Sequence, residues 1–81
     1  MKFKVYKVIS NGSKIHDVGV YPTLKEAQAA ASKEVELDEK ELKEFFGFKT
    51  VVVEKENYVV KFINAAKHWC VWWYVAKPVD E

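Results

Sequence analysis

The chain has 81 residues, which predicts a single domain with a small core. Hydrophobic residues make up 49% and aromatic residues 15% of it, a composition typical of a packed globule and not of a disordered chain. The formal net charge of +1 excludes a strong overall attraction to nucleic acid or to anionic membranes. All 13 basic residues are lysines. The lack of arginine argues against sequence-specific recognition of duplex DNA, which relies on the guanidinium fork.

Cysteine usage and hydropathy predict the compartment. The single cysteine, Cys70, cannot form an internal disulfide or a multi-cysteine zinc site, and a reducing compartment is the default for such a chain. The first residues alternate lysine with apolar side chains, unlike the apolar core of a signal peptide. No apolar run approaches the roughly 18 residues of a membrane-spanning helix. We therefore expect a cytoplasmic protein without a membrane segment.

The first 21 residues predict a β-hairpin. Two alternating runs, 2–10 and 14–21, flank Asn11-Gly12, a strong signal for a two-residue turn. Such a turn pairs Val5 with Val18 and gives the hairpin one apolar face. The predicted core face carries Phe3, Val5, Val18 and Val20. The opposite face carries Lys4, Tyr6, Val8, Ile15 and Asp17.

Two helix starts follow the hairpin. Thr23 and Glu26 have the spacing of a capping box, which predicts a helix to about Val35. Its apolar stripe would be Leu24, Ala27, Ala31 and Val35. The segment 38–41 repeats the capping pattern and predicts a second, short helix that ends near Gly47. Its apolar side would be Leu42, Phe45 and Phe46. The two helices could instead form one kinked helix.

The last part of the chain predicts three more strands. Residues 50–55 and 58–63 form a hairpin around Glu56-Asn57, with a core face of Val51, Val53, Tyr58, Val60 and Phe62. The final strand holds all three tryptophans, and Pro78 ends it. Pairing Phe62 with Trp69 places one set of its side chains in the core: Trp69, Val71, Trp73 and Val75. The order ββααβββ predicts an α+β single domain over residues 1–81, with a five-stranded antiparallel sheet and one or two helices packed on one face.

The predicted outer face of this sheet is the strongest functional signal. More than half of its side chains are apolar or aromatic, whereas a wet face would be polar at alternate positions. The predicted binding residues are Tyr6, Trp72 and Tyr74, with Lys4 and Lys61 at the margin. Three interpretations remain open. The second helix or the C-terminal tail covers this face, or the face binds protein, including a second copy, or it stacks the unpaired bases of a single-stranded nucleic acid.

No catalytic or metal site is predicted. His68 and Cys70 share a strand face, but side chains two residues apart are roughly 6–7 Å from each other, too far for a direct hydrogen bond. The spacing of His16, His68 and Cys70 fits no known metal motif. We therefore expect a non-enzymatic domain without a cofactor that binds a protein partner or forms a homodimer. The alternatives are a single-stranded nucleic-acid-binding domain and a designed protein without biological function, with which the lysine-only basicity and paired capping boxes are compatible.

Overall fold

One antiparallel sheet of five strands and one helix form the fold in the computed structural model, which describes residues 1–10, 12–45, 47–48, 50–55, 58–63 and 69–79. The elements are β1 (Lys2–Ile9), β2 (Lys14–Tyr21), α1 (Leu24–Phe45), β3 (Thr50–Glu54), β4 (Val59–Ile63) and β5 (Trp69–Val79). The strand order across the sheet is β2-β1-β5-β4-β3, so β5 is the central strand. The predicted α+β class and antiparallel sheet are confirmed.

The β1–β2 pairing contains two irregularities that the sequence did not predict. Val5 pairs with Gly19 instead of Val18, and the register shifts between Val5 and Tyr6 and again between Lys7 and Val8. Each shift inserts an extra residue into β2, because a bulge opposes two residues to one. As a result Val20 pairs with Lys4 and is 52% exposed, so its predicted place in the core is wrong.

The helix begins as predicted but does not break. The Glu26 backbone N–H donates to Thr23 Oγ1 at 3.2 Å, which confirms the cap. The predicted second helix start at Asp38 is wrong, because α1 runs without interruption to Phe45. The spacing of three to four residues simply continues through that position. The buried positions of the helix are Ala27, Ala31, Val35 and Leu42.

Two apolar side chains assigned to the buried stripe are exposed. Leu24 lies at the first position of the helix with 44% of its surface exposed, and Phe45, the last residue, is 76% exposed. Gly47 follows with a φ of +64°, a left-handed conformation that suits a residue just past a helix end. Phe46, the other predicted apolar residue, lies outside the described residues.

The second hairpin has the predicted register. Val53 pairs with Val60, and Glu54 pairs with Val59. Val51 and Val53 are partly buried against the core, and Val60 is fully buried. The side chains of β3 and β4 that face the helix are therefore the predicted ones, while residues 56–57 lie outside the described residues.

The pairing of β4 with β5 is offset by one residue from the prediction. Phe62 pairs with Cys70 and Val60 pairs with Trp72. A slip of one residue exchanges the two faces of a strand. Trp72 and Tyr74 are therefore only 8% and 4% exposed and belong to the core cluster that packs with the helix. The prediction that these two rings point away from the helix is wrong.

Candidate functional site

An acidic side chain lies at the junction between the helix and the sheet. Asp38 Oδ2 accepts hydrogen bonds from Trp72 Nε1 at 2.9 Å and from the Tyr74 hydroxyl. Lys7 Nζ lies 3.5 Å from the same oxygen. We call Lys7, Asp38, Trp72 and Tyr74 the Asp38 cluster. It joins α1 to the two adjacent strands β1 and β5.

Charge and ring geometry reinforce the cluster. The Lys7 ammonium lies 4.4 Å from the centroid of the Trp72 ring and 5.8 Å from that of Tyr74, within the range of a cation–π contact. Burial raises the pKa of the Tyr74 hydroxyl well above its ordinary value, and the Asp38 carboxylate, as acceptor and as a negative charge, raises it further. The cluster therefore holds a neutral tyrosine that donates to a carboxylate. It stabilises the packing of helix on sheet and presents no free base or nucleophile.

The sequence analysis missed this role of Asp38, although a signal was present. Asp38 continues the buried stripe of Ala31, Val35 and Leu42 at helical spacing. An acid at a core-facing position needs a donor, since burying an unpaired carboxylate is costly. The indole of Trp72 and the hydroxyl of Tyr74, two residues apart on one strand, were the available donors. Because 38–41 was interpreted as a capping box, Asp38 was not assigned to them.

The opposite side of the sheet carries the second candidate surface. No described helix or strand packs against it, because α1 lies wholly on the side of Trp72 and Tyr74. Its middle row runs across all five strands through paired residues, from β2 to β3: Lys14, Val8, Trp73, Val59 and Glu54. Trp73 is thus at the centre of this row, on the central strand. Val71 and Val75 flank it along β5 on the same side.

We call this surface the open face. Its centre consists of six apolar or aromatic side chains, of which Val8 is buried and the others are partly exposed: Tyr6, Val8, Val59, Val71, Trp73 and Val75. Its rim contains Val20 and Val52, which are 52% and 40% exposed. The rim charges nearest the centre are Lys4, Lys14, Asp17, Glu54, Lys61 and Lys77. These side chains form one continuous surface.

Three of the five predicted binding residues lie on the open face. Tyr6 pairs with Asp17 and Val75, Lys4 pairs with Lys77, and Lys61 pairs with Val52 and Val71. Trp72 and Tyr74 do not join them, because both are engaged with Asp38 under the helix. Trp73, which the sequence analysis placed in the core, takes their position. His68 lies outside the described residues, as do the side chains of Trp69 and Cys70.

The rim of the open face is predominantly basic. Asp17 lies 3.5 Å from Lys4 and 3.3 Å from Lys14, and Lys61 lies 2.9 Å from Glu54. The hydrogen bond from the Lys14 ammonium holds the pKa of the Asp17 carboxyl below its ordinary value. Four lysines against two carboxylates leave the rim with a charge of about +2. The helix on the other side has seven acids and four lysines, so the two sides of the domain differ in sign.

A shallow, solvent-open depression of about 430 Å³ indents one part of the open face. Its lining includes three lysines and one aromatic ring: Lys4, Tyr6, Gly12, Lys14, Lys77 and Val79. The ring gives it an apolar wall, and the ammonium groups make it positive. An acidic or anionic group of a partner fits this chemistry better than an apolar side chain does.

Among the described residues, no three of the His, Cys, Asp and Glu side chains are grouped so that they could hold a metal ion. No helix in that part of the chain is long and apolar enough to cross a membrane. Comparison of the chain with protein-family models, with curated proteins and with solved structures gave no match.

Proposed function

We propose that the chain is a non-enzymatic binding domain that holds an acidic partner protein against its open face. The observation that carries this proposal is the position of Trp73, at the centre of an apolar patch that no described helix or strand covers and that has a lysine-rich rim. Since the single cysteine favours a reducing compartment, we place this activity in the cytoplasm.

The open face, with an apolar centre and a charged rim, has the arrangement found in protein–protein interfaces. Binding energy in such interfaces is concentrated in a few central residues, with tryptophan and tyrosine enriched among them, and a polar rim excludes water around these residues. Trp73 and Tyr6 are on adjacent strands, and the residue opposite Tyr6 is Val75, two positions after Trp73. The two rings are therefore diagonal neighbours, roughly 7–8 Å apart at their backbones. A single apolar projection of a partner can contact both.

Charge complementarity specifies the partner further. With four lysines and two carboxylates around the centre, a partner surface with an apolar patch bordered by Asp and Glu gains attraction on every side. A second copy docked face to face brings the same lysines together, and such juxtaposition of like charges is unfavourable. The proposed partner of the open face is therefore a different protein with a negatively charged rim.

One observation favours a second candidate function. Two rings on neighbouring strands, bordered by lysines, also suit the stacking of two bases of a single-stranded nucleic acid while the ammonium groups follow the phosphates. Asp17, which pairs with Tyr6 and lies within 3.5 Å of two of those lysines, opposes this by placing a negative charge beside the ring. We therefore rank it below protein binding.

The test combines capture with measured affinity. A photoreactive p-benzoylphenylalanine in place of the exposed Val20 crosslinks a protein bound at the open face, and that protein is then purified. Calorimetric titration compares the wild type with Trp73→Thr, which keeps a β-branched residue in the strand. We expect the substitution to weaken binding at least ~30-fold, as for a hot-spot residue worth about 2 kcal/mol, and higher salt to weaken it further.

Phe45→Ala is the matched control, since it removes an exposed aromatic ring from the helix end, away from the open face. We expect its affinity to stay within about twofold of the wild type. A partner bound equally well by Trp73→Thr would contradict the proposal, as would the absence of any Trp73-dependent crosslink. Tight binding of a fluorescent oligothymidylate or oligouridylate, lost in Trp73→Thr and at high salt, would support the second candidate instead.

A further inference from the structure

The two edges of the sheet differ in how well they are protected against pairing with another strand. The β2 edge contains two register shifts and exposed charged residues, among them Lys14 and Asp17. Bulges and edge charges are the usual devices that prevent a sheet from adding strands. The β2 edge is therefore closed to further pairing.

The β3 edge has no register shift along its described length, and its one charged residue, Glu54, lies at the end of the strand. Its sequence is Thr-Val-Val-Val-Glu, it pairs with β4 in one continuous register, and four of its five residues are β-branched. β3 is last in the sheet order, so no further strand lies beside its outer edge among the described residues. Such an edge offers a template for one more strand.

We propose that β3 pairs with β3 of a second copy of this chain, antiparallel and centred on Val52. A two-fold axis perpendicular to the sheet then places Val52 opposite its own copy and Val51 opposite Val53 of the other chain. Thr50 lies opposite Glu54 of the other chain, a pair that can share a hydrogen bond. β-Branched pairs of this kind stabilise antiparallel strands.

The register follows from the two faces of the strand. Val51 and Val53 are packed toward the helix, and Val52 lies on the open face, 40% exposed. Directly opposed residues of antiparallel strands share a face. Both helices therefore lie on one side of the dimer only if the pairing is centred on a residue, such as Val51, Val52 or Val53, and not between two residues. Centring on Val53 would oppose Val51 to Lys55, and centring on Val51 would leave Glu54 beyond the end of the partner strand. Centring on Val52 opposes all three valines to valines.

The resulting dimer is a ten-stranded sheet with both helices on one side. The two open faces become continuous across the junction, so the proposed partner would meet two copies of Trp73. The pairing spans only five residues per chain, and interfaces that small are weak. This dimer therefore forms at raised protein concentration and closes on itself, because the two β2 edges remain protected.

Analytical ultracentrifugation over protein concentrations from about 10 µM to about 1 mM tests the proposal. We expect the wild-type mass to rise from 9.4 kDa toward twice that value with concentration. Val52→Lys should stay at the monomer mass throughout, because it opposes two ammonium groups on the two-fold axis. Val20→Lys is the matched control, as the same change at an exposed valine of the β2 edge, and should dimerise like the wild type.

Crosslinking tests the register. Val52→Cys should form an intermolecular disulfide under mild oxidation, identified by mass spectrometry as a link between two copies of position 52. Val20→Cys should form no self-link under the same conditions. A wild type that stays monomeric at about 1 mM, growth past the dimer, or dimerisation that persists in Val52→Lys would each overturn the proposal. None of these results bears on Trp73, so a failure here leaves the partner site to be judged by its own experiment.

Discussion

Asp38 shows how a single partly buried charge fixes the packing of a small domain. Its side chain is 14% exposed, and the indole of Trp72, the hydroxyl of Tyr74 and the ammonium of Lys7 are all directed at one of its oxygens. A carboxylate in such a place is tolerated because its desolvation is offset by charge-assisted hydrogen bonds. Among the described residues, no buried side-chain nitrogen or oxygen lacks a partner. Removing the carboxylate alone would break that balance.

Asp38→Ala should destabilise the domain. It leaves the Trp72 and Tyr74 donors without an acceptor and Lys7 without its counter-charge, so we expect a loss of about 2–4 kcal/mol in the free energy of unfolding. Urea denaturation followed by circular dichroism measures it. Glu39→Ala, one position along the same helix, removes only the exposed pair with Lys43 and should cost less than about 1 kcal/mol. Equal losses in the two variants would show that the Asp38 cluster does not stabilise the fold.

Contacts between residues close in sequence were easier to predict than contacts between distant ones. The helix cap at Thr23 could be predicted because its hydrogen bond is local. For Asp38, the helical spacing indicated only that an acid faces the sheet; its partners lie 34 and 36 residues away, and only the tertiary pairing of the helix with β5 brings them together. The position of Trp73 at the centre of the open face could not be predicted for the same reason, since it depends on how β5 pairs with its neighbours.

The buried stripe of α1 determines how closely the helix approaches the sheet. Ala27 and Ala31 are fully buried and face the central strands, where small side chains allow close contact between the two layers. Val35 and Leu42 continue the buried stripe towards the end of the helix. The helix is continuous because this stripe, with Asp38 in it, runs without a break from Ala27 to Leu42.

We predict that Ala31→Leu destabilises the domain by about 1–3 kcal/mol, because the added methyl groups have no room between helix and sheet. Ala29→Leu provides the control: it makes the same change on the exposed side of α1, and both residue types favour helices, so its effect should be near zero. Thermal and urea unfolding of the two variants give the comparison. A similar stability for both would mean that the helix is held away from the sheet.

A predicted short turn gave the correct strand register in only one of the two hairpins: Val5 was expected opposite Val18 but pairs with Gly19, because β2 contains bulges. The register of β3 with β4 followed from a two-residue connection, and it is correct. Between β4 and β5 the sequence has five residues, 64–68, and a connection of that length offers no such constraint. The two alternating sets of β5 are equally apolar, with Trp73 in one and Trp72 in the other, so hydrophobic pattern could not decide which set faces the helix.

The sheet has two apolar faces, and α1 packs against one of them. Among the described residues, the 22-residue helix α1 covers one face, and the other has Trp73 at its centre. The excess of apolar residues in β5 predicted that both faces of the sheet carry apolar side chains, but the one-residue offset in register exchanged the rings on the two faces. Acids on the helix side and lysines on the open face make the domain polar in charge as well.

The stability of the whole molecule should depend on the ionisation of Tyr74. Its pKa is raised in the folded state, because burial and the neighbouring carboxylates of Asp38, Glu34 and Glu41 all disfavour the phenolate, whereas the unfolded chain titrates near pH 10. Below that pH both states keep the proton and the stabilisation is complete. Above it the unfolded state releases the proton first, so the free energy of unfolding falls by up to about 1.4 kcal/mol per pH unit until the folded-state pKa is reached.

Lysines and the other three tyrosines also titrate in this range, so the wild type must be compared with Tyr74→Phe. This variant is less stable at pH 7, because it loses the hydrogen bond to Asp38. Nevertheless, its stability should decline less steeply between about pH 10 and pH 12, since it lacks the titrating group. Urea denaturation at several pH values measures both slopes, and absorbance at about 295 nm counts the tyrosinates in the folded protein. Parallel slopes, or four tyrosinates formed before unfolding, would show that the Tyr74 proton is not held by the fold.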